Sequence, residues 1–173
     1  ISGPRWRALA VSADGNRVWA ANATSNMVYG FTRDFASVET ALGPHEFVDA
    51  VAASPDGRWL YVNETYQRQL SRFPLLAGTG GPLLGDKEVM FQFSDGDFPD
   101  GLAFDSTGAV WVACIISNRI RRIDSSGHSQ VILSDADPDL CAASDAAYEA
   151  GRLDRAGVDA GGQRALKNAS SIA

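Results

Sequence analysis

Cysteine, histidine and methionine are scarce in this chain, with two of each among 173 residues. Cys114 and Cys141 fit neither a disulfide framework nor the paired spacing of a zinc site. Cys114 lies in the apolar run Trp111-Val112-Ala113-Cys114 and reads as a buried small hydrophobe. Unpaired thiols make a cytoplasmic location the default expectation. His45 and His128 fall in loops with no partner spacing and are expected at the surface. Basic residues are outnumbered, 15 Lys and Arg against 21 Asp and Glu, for a net charge of -6. That balance argues against a nucleic-acid partner, which selects basic surfaces. No apolar run reaches the ~18 residues of a spanning helix, so no membrane partner is expected. The opening Ile1-Ser2-Gly3-Pro4 shows neither the basic nor the apolar region of a signal peptide. Also missing are G-x-S-x-G, H-E-x-x-H, a P-loop and a Gly-rich dinucleotide fingerprint. Serine-hydrolase, zincin and nucleotide-binding readings are excluded as far as motifs can do so.

What the chain does contain is a repeat. Each copy has a short apolar strand, a turn ending in Gly, a strand with an aromatic, a polar tip and a third strand. The first copy carries Leu9-Ala10-Val11, Ala13-Asp14-Gly15, Trp19, Val28 and Phe31. The second carries Val51-Ala52-Ala53, Pro55-Asp56-Gly57, Tyr61, Leu70 and Phe73. The third carries Leu102-Ala103-Phe104, Ser106-Thr107-Gly108, Trp111, Ile120 and Ile123. The turn glycines are 42 and 51 residues apart. A strand-rich period of roughly 40–50 residues is the signature of a β-propeller blade. The expected fold is all-β, one propeller domain over 1–173, with blades at about 6–46, 47–97 and 98–135. Leu76 to Gly85 reads as a Gly- and Pro-rich loop, and 86–93 as an outer strand.

One segment breaks the β pattern. Asp137-Pro138 supplies an N-cap followed by Pro at the first helical position. Leu140, Ala143, Ala147 and Tyr148 follow helical spacing, and Gly151 supplies a stop. A helical insert is expected over 138–150, with loop over 151–165. Ile172-Ala173 align with Leu102-Ala103, so a further blade is expected to begin at 166–173. Propellers close with about 4–8 blades, and about three leave open strand edges. Remaining blades are expected from further chain or from a second copy.

The residues just before each first strand should lie at the channel mouth. The repeat aligns Arg7, Asp49 and Asp100 there. Two converging carboxylates are oxygen ligands of the kind a hard divalent cation needs, while turn capping explains Asp100 equally well. Asn22, Asn63, Glu64 and Cys114 form a second layer that either faces the channel or ends strands. Asp14, Asp56 and Asp124 are explained by turn chemistry.

Two stretches carry a family resemblance. The first is Phe98-Pro99-Asp100-Gly101-Leu102-Ala103-Phe104-Asp105, followed by Gly108-Ala109-Val110-Trp111-Val112-Ala113 and Asn118-Arg119-Ile120. The second runs from Ser54-Pro55-Asp56-Gly57 through Trp59-Leu60-Tyr61-Val62-Asn63-Glu64-Thr65. Together they resemble the gluconolactonase/regucalcin (senescence marker protein) family, most clearly over about 47–173. The helical insert with Leu166 to Ala173 is similar to a bacterial branch. The resemblance implies a six-bladed propeller holding one divalent cation, often Ca²⁺, on a Glu, an Asn and the Asp of Pro-Asp-Gly. Carried over, that Asp is Asp100 and the Asn position is Asp49. Ser2, before Gly3-Pro4-Arg5-Trp6, stands where the Glu is expected. The implied chemistry is hydrolysis of a small-molecule lactone or ester, with a cation polarising the carbonyl and activating water. Asp100 would be the general base, and Asn63, Glu64, Asn168 and Ser170 would bind substrate. The alternative is a non-catalytic binding or scaffold propeller with a degraded metal site. A related six-bladed enzyme of strictosidine-synthase-like or phosphotriesterase-like chemistry is a third reading.

Overall fold

Three turn glycines set the repeat in space. Gly15, Gly57 and Gly108 have φ of +71°, +70° and +83°, a region that any Cβ disfavours. Each reverses the chain between the first and second strand of a four-stranded antiparallel sheet. In this computed structural model, which describes residues 5–35, 38–43, 48–76, 84–168 and 170 (backbone only at 39–42), those sheets are propeller blades.

Blade one contains β1 (Trp6–Val11), β2 (Arg17–Asn22), β3 (Met27–Thr32) and β4 (Val38–Leu42). Blade two contains β5 (Val48–Ala53), β6 (Trp59–Glu64), β7 (Gln69–Pro74) and β8 (Glu88–Gln92). Blade three contains β9 (Asp97–Phe104), β10 (Val110–Ile116), β11 (Arg119–Ile123) and β12 (Ser129–Ser134). Strands pair in chain order within each blade. The chain is thus a β-propeller array with the innermost strands β1, β5 and β9 side by side. The expectations at Ser2, His45, most of the 76–85 loop and Ile172-Ala173 fall outside the described residues. His128 is exposed.

Alternation along the strands builds a core between each pair of blades. Ala10, Trp19, Ala21 and Val28 of blade one meet Val51, Leu60, Val62 and Phe73 of blade two. Tyr61 and Leu70 then meet Val110, Val112, Cys114 and Ile123 of blade three. Burying a side chain such as Leu60 fully contributes about 2 kcal/mol. Among the described residues the opposite face of blade one has no such partner. Trp6, Leu9 and Val11 are exposed there, and the Trp6 ring meets Tyr29 edge-on at 5.8 Å. On β12 at the far end, Val131, Ile132 and Leu133 are also exposed.

The helical insert forms as the caps predict. The Asp137 carboxylate accepts from the Asp139 and Leu140 amides, and α1 spans Pro138–Glu149. Gly151 takes φ +64° just past its end. Leu140 and Tyr148 pack against Phe98, Ile115 and Ile116, with Cys141 and Ser144 on the same buried face. Ala143 is exposed instead. The following segment is more ordered than its composition suggests. α2 (Arg155–Asp159) starts at Asp154, whose side chain accepts from the Gly157 amide, and a 3-10 turn covers Ala160–Gln163. Five residues are too few for an apolar period to show, so sequence patterning reads this stretch as loop. Among the described residues no helix is long and apolar enough to cross a membrane.

Candidate active site

The innermost strand of every blade bulges on the side away from its glycine turn. Trp6 faces Asn22 while Ala8 faces Ala21, which leaves Arg7 as the extra residue. Val48 faces Glu64 while Ala50 faces Asn63, which leaves Asp49 extra. On β9, Pro99 faces Cys114 and Leu102 faces Val112, so Asp100 and Gly101 oppose Ala113 alone. A bulge bends the strand and re-aims its side chain, a device common beside active sites. Here it turns Arg7, Asp49 and Asp100 into one cavity of about 560 Å³.

The cavity has three kinds of wall. Arg5, Arg7, Asp49, Thr65 and Asp100 give a polar floor and rim, and Ala23, Tyr66, Phe98 and Ile115 give an apolar side. Following the α1 insert, α2 and the residues after it close over the cavity with Arg155, Val158, Asp159, Asn168 and Ser170. That insert is docked by named contacts. Asp145 accepts from the Gly96 amide and pairs with Arg68 at 2.8 Å. The Tyr148 hydroxyl donates to the Tyr66 carbonyl, and its ring meets Phe98 edge-on at 5.4 Å.

Asp49 is the most constrained acid of the site, 6% exposed. Its Oδ2 lies 2.9 Å from the Thr65 hydroxyl, which also lies 2.7 Å from the Pro99 carbonyl oxygen. The hydroxyl has one proton for these two acceptors. Asp49 Oδ1 stands 3.3 Å from Arg7 Nη1 but accepts no hydrogen bond there, so that pairing is one of charge. Burial pushes the Asp49 carboxyl up, against the pull of Thr65, Arg7 and Arg155. Burial also pushes Asp100 up to about 7, the Asp49 charge adds to the rise and Arg7 opposes it. Asp105, five residues along, goes the other way. Hydrogen bonds from Thr107, Trp111 and Arg122 hold it well below the usual carboxylate range.

The remaining candidate residues are placed differently. Asn63 is fully buried behind the cavity wall, where its amide donates 2.7 Å to the Asp100 carbonyl. Glu64 is also fully buried, accepting from the Ser71 hydroxyl at 2.7 Å and pairing with Lys87 at 2.6 Å. Neither borders the cavity: alternation turns Glu64 away from the face that Asn63 and Thr65 share, and Asn63 lies deeper on that face, against the β9 backbone. Asn168 does border it, but its Oδ1 accepts from the Ile116 amide and its Nδ2 donates to the Val158 carbonyl. Ser170 borders it too and is exposed. Asn22 caps its own strand end, its Oδ1 accepting from the Thr24 and Ser25 amides. The buried Cys114 thiol is pushed well up by desolvation, as suits a core residue. Thr65 and Arg155 are cavity residues that were not among the candidates of the sequence. The polar run Asn63-Glu64-Thr65 was the signal for the first, and the second had none.

Two carboxylates suit a hard divalent cation by donor chemistry. Asp49 Oδ1 is buried without a hydrogen bond, and both acids are driven toward the neutral form, as acids short of counter-charge are. Among the described residues no third carboxylate, histidine or cysteine joins them. The pair therefore fits such a cation as two of its ligands, with Arg7 competing for Asp49.

Three blades whose innermost strands turn Arg7, Asp49 and Asp100 into one cavity define a β-propeller array with a charged candidate site. Residues 10–142 match the SMP-30/Gluconolactonase/LRE-like region family, and the chain belongs to it. A 6-deoxy-6-sulfogluconolactonase from Pseudomonas putida is 36% identical over 81 residues, which cover 46% of this chain and 27% of that protein. Among solved structures, a luciferin-regenerating enzyme superposes with a TM-score of 0.62 at 17% identity, over 79% of this chain and 52% of that one. Virginiamycin B lyase from Staphylococcus aureus gives 0.59 at 20% identity, over 74% and 41%. At these identities the two structures speak for the fold alone. The chain spans about a quarter of the curated relative's length and about half or less of these structures.

Proposed function

We propose that this chain forms part of a gluconolactonase-like hydrolase acting on a lactone or related ester. The observation that carries the reading is Asp100, raised to about 7 in a cavity beside a second carboxylate. A general base works best with a pKa near the working pH. Family membership and the lactonase relative support the substrate class.

Each residue has a part in the proposed chemistry. Asp100, deprotonated, takes a proton from the water that attacks the carbonyl carbon. After ring opening that proton goes to the leaving alkoxide. Asp49 and Asp100 are the residues that would hold a divalent cation, Ca²⁺ being the expectation. The chemistry such a cation supplies is Lewis-acid polarisation of the substrate carbonyl. Arg7 keeps Asp49 charged, and Thr65 fixes its Oδ2. Phe98, Ile115 and Val158 exclude bulk water from one side. Ser170 is placed to meet substrate hydroxyls, and Asn168 holds the cover in place. Asn63 positions the Asp100 bulge through its carbonyl. The exposed apolar faces of blade one and β12 are where we place the remaining blades, from further chain or a second copy.

The test is turnover of simple aldonolactones by the intact protein, with and without divalent cations. Cation-dependent hydrolysis abolished in Asp100→Asn supports the reading, and full activity in that variant sinks it. A second reading, a non-catalytic binding module, is favoured by the Arg7–Asp49 pair, since a guanidinium already meets part of the carboxylate charge. Absence of both turnover and cation binding would select it.

A further inference from the structure

The cover of the cavity is held less firmly than the helix that precedes it. α1 buries Cys141 and Ser144, and its Asp145 pairs with Arg68 at 2.8 Å. Of residues 154–168, Gly161 alone is buried. Polar contacts join this stretch to blade three. The fully buried Asn118 side chain donates to the Gly161 carbonyl at 2.8 Å. The Ile116 amide donates to Asn168 Oδ1 at 3.2 Å. Asp135, just past β12, takes Arg164 at 3.2 Å and the Leu166 amide at 3.1 Å. Val158 adds a partly buried contact with the cluster of Phe98, Ile115 and Ile116.

Both sides of this junction are strained. At the β10–β11 tip, Ile116 has φ +68° and Asn118 has φ +49°, and facing them Lys167 and Asn168 have φ +52° and +57°. Left-handed backbone is costly for a β-branched residue such as Ile116, and such strain gathers at ligand clamps and switch regions. Between Ile116 and Asn118, the Ser117 hydroxyl is buried with no partner among the described residues. Few buried contacts set against stored strain mark a segment that opens locally.

We propose that residues 154–168 are a lid that lifts from the cavity by itself while α1 stays docked, latched by Asn118 and Asn168. Gly151, at φ +64°, supplies the bend at one end and Lys167-Asn168 the bend at the other. Val158 on the lid borders the same cavity as Phe98 and Ile115 on blade three. A ligand that touches both sides favours the shut state, and its entry and release require the latch to break.

Gly161 allows a test that leaves every cavity-lining side chain in place. A Cβ there would stand 2.7 Å from the Ile116 carbonyl oxygen and would collide with the Asn168 side-chain amide. Hydrogen exchange is followed segment by segment in the intact protein. Residues 154–168 should exchange faster than α1 by about tenfold or more. Gly161→Ala should speed the lid by about a further tenfold, the scale of one lost hydrogen bond, and leave α1 unmoved. Asn118→Gly, which suits the left-handed backbone and removes only the amide, should do the same. Access is read with Ile115→Cys, since Cys114 and Cys141 are buried. Labelling of that thiol by a small reagent should quicken when Gly161→Ala is added. One common exchange rate for α1 and 154–168 in the unaltered protein overturns the proposal. So does a joint acceleration of both segments in the two variants, or a labelling rate unmoved by Gly161→Ala. None of these measurements needs turnover, so the lid stands or falls apart from the hydrolase reading.

Discussion

The Asn63 amide donates to the Asp100 carbonyl oxygen at 2.7 Å, from the second strand of one blade to the innermost strand of the next. The same nitrogen lies 3.4 Å from the Gly101 carbonyl, so one buried side chain spans the β9 bulge. Removing it leaves those carbonyls unsatisfied where water is excluded. Asn63→Ala should lower stability by about 1–3 kcal/mol and lower activity by loosening Asp100. Thermal unfolding and lactone turnover measured on the same variant check both effects.

Asp100 makes opposite demands on stability and function. Its carboxyl is raised from 3.8 to about 7 in the fold. Between those values the folded state binds the proton better than the unfolded chain does. The contribution is therefore fully present below pH 4 and is lost as pH rises through 7. Proposed activity runs the other way, rising as the base ionises, and a cation held by Asp49 and Asp100 would move that rise to lower pH. Asp100→Asn should unfold at the same or a higher temperature above pH 7 while losing turnover. Melting curves and pH–rate profiles across pH 5–9 read both directions.

Arg7 holds down the carboxyls of Asp49 and Asp100 by charge. Arg7→Gln should move the rising limb of the pH–rate profile to the alkaline side. It should also tighten divalent-cation binding, because a competing positive charge is gone. Cation titration by calorimetry checks the second effect.

Asp97 is fully buried between Arg119 at 3.0 Å and Arg121 at 2.5 Å. Breaking a buried pair from one side leaves uncompensated charge and costs about 3–5 kcal/mol. Asp97→Asn should lower stability by that order, and denaturant unfolding measures it. Nearby, Gly96 takes φ +77°, and a Cβ there would stand 2.5 Å from the Cys141 Cβ. Gly96→Ala should displace α1, and proteolysis within 138–168 should speed up.

The blades were legible because three turns need glycine at positive φ, and those glycines mark the period. The carboxylate pair was legible because a repeat aligns residues that face one axis. The roles of Asn63 and Glu64 were not, because alternation turns Glu64 away while depth along the strand decides which polar residue on the other face reaches the cavity. Thr65, just past the end of β6, reaches the cavity, and Asn63, two residues deeper on the same face, is a staple across blades. Arg155 was not legible because α2 is too short for periodicity, and its capping Asp154 resembles many loop acids. Arg7 was aligned by the repeat, but its effect on two carboxyls is a matter of distance that spacing does not carry.

The most direct test of the account is the turnover of an aldonolactone by the unaltered protein and by Asp100→Asn at saturating divalent cation. Loss of a general base predicts a kcat lower by about 10²-fold or more, with an unchanged or higher melting temperature. Equal turnover by the two proteins would contradict the assignment of Asp100 as the base.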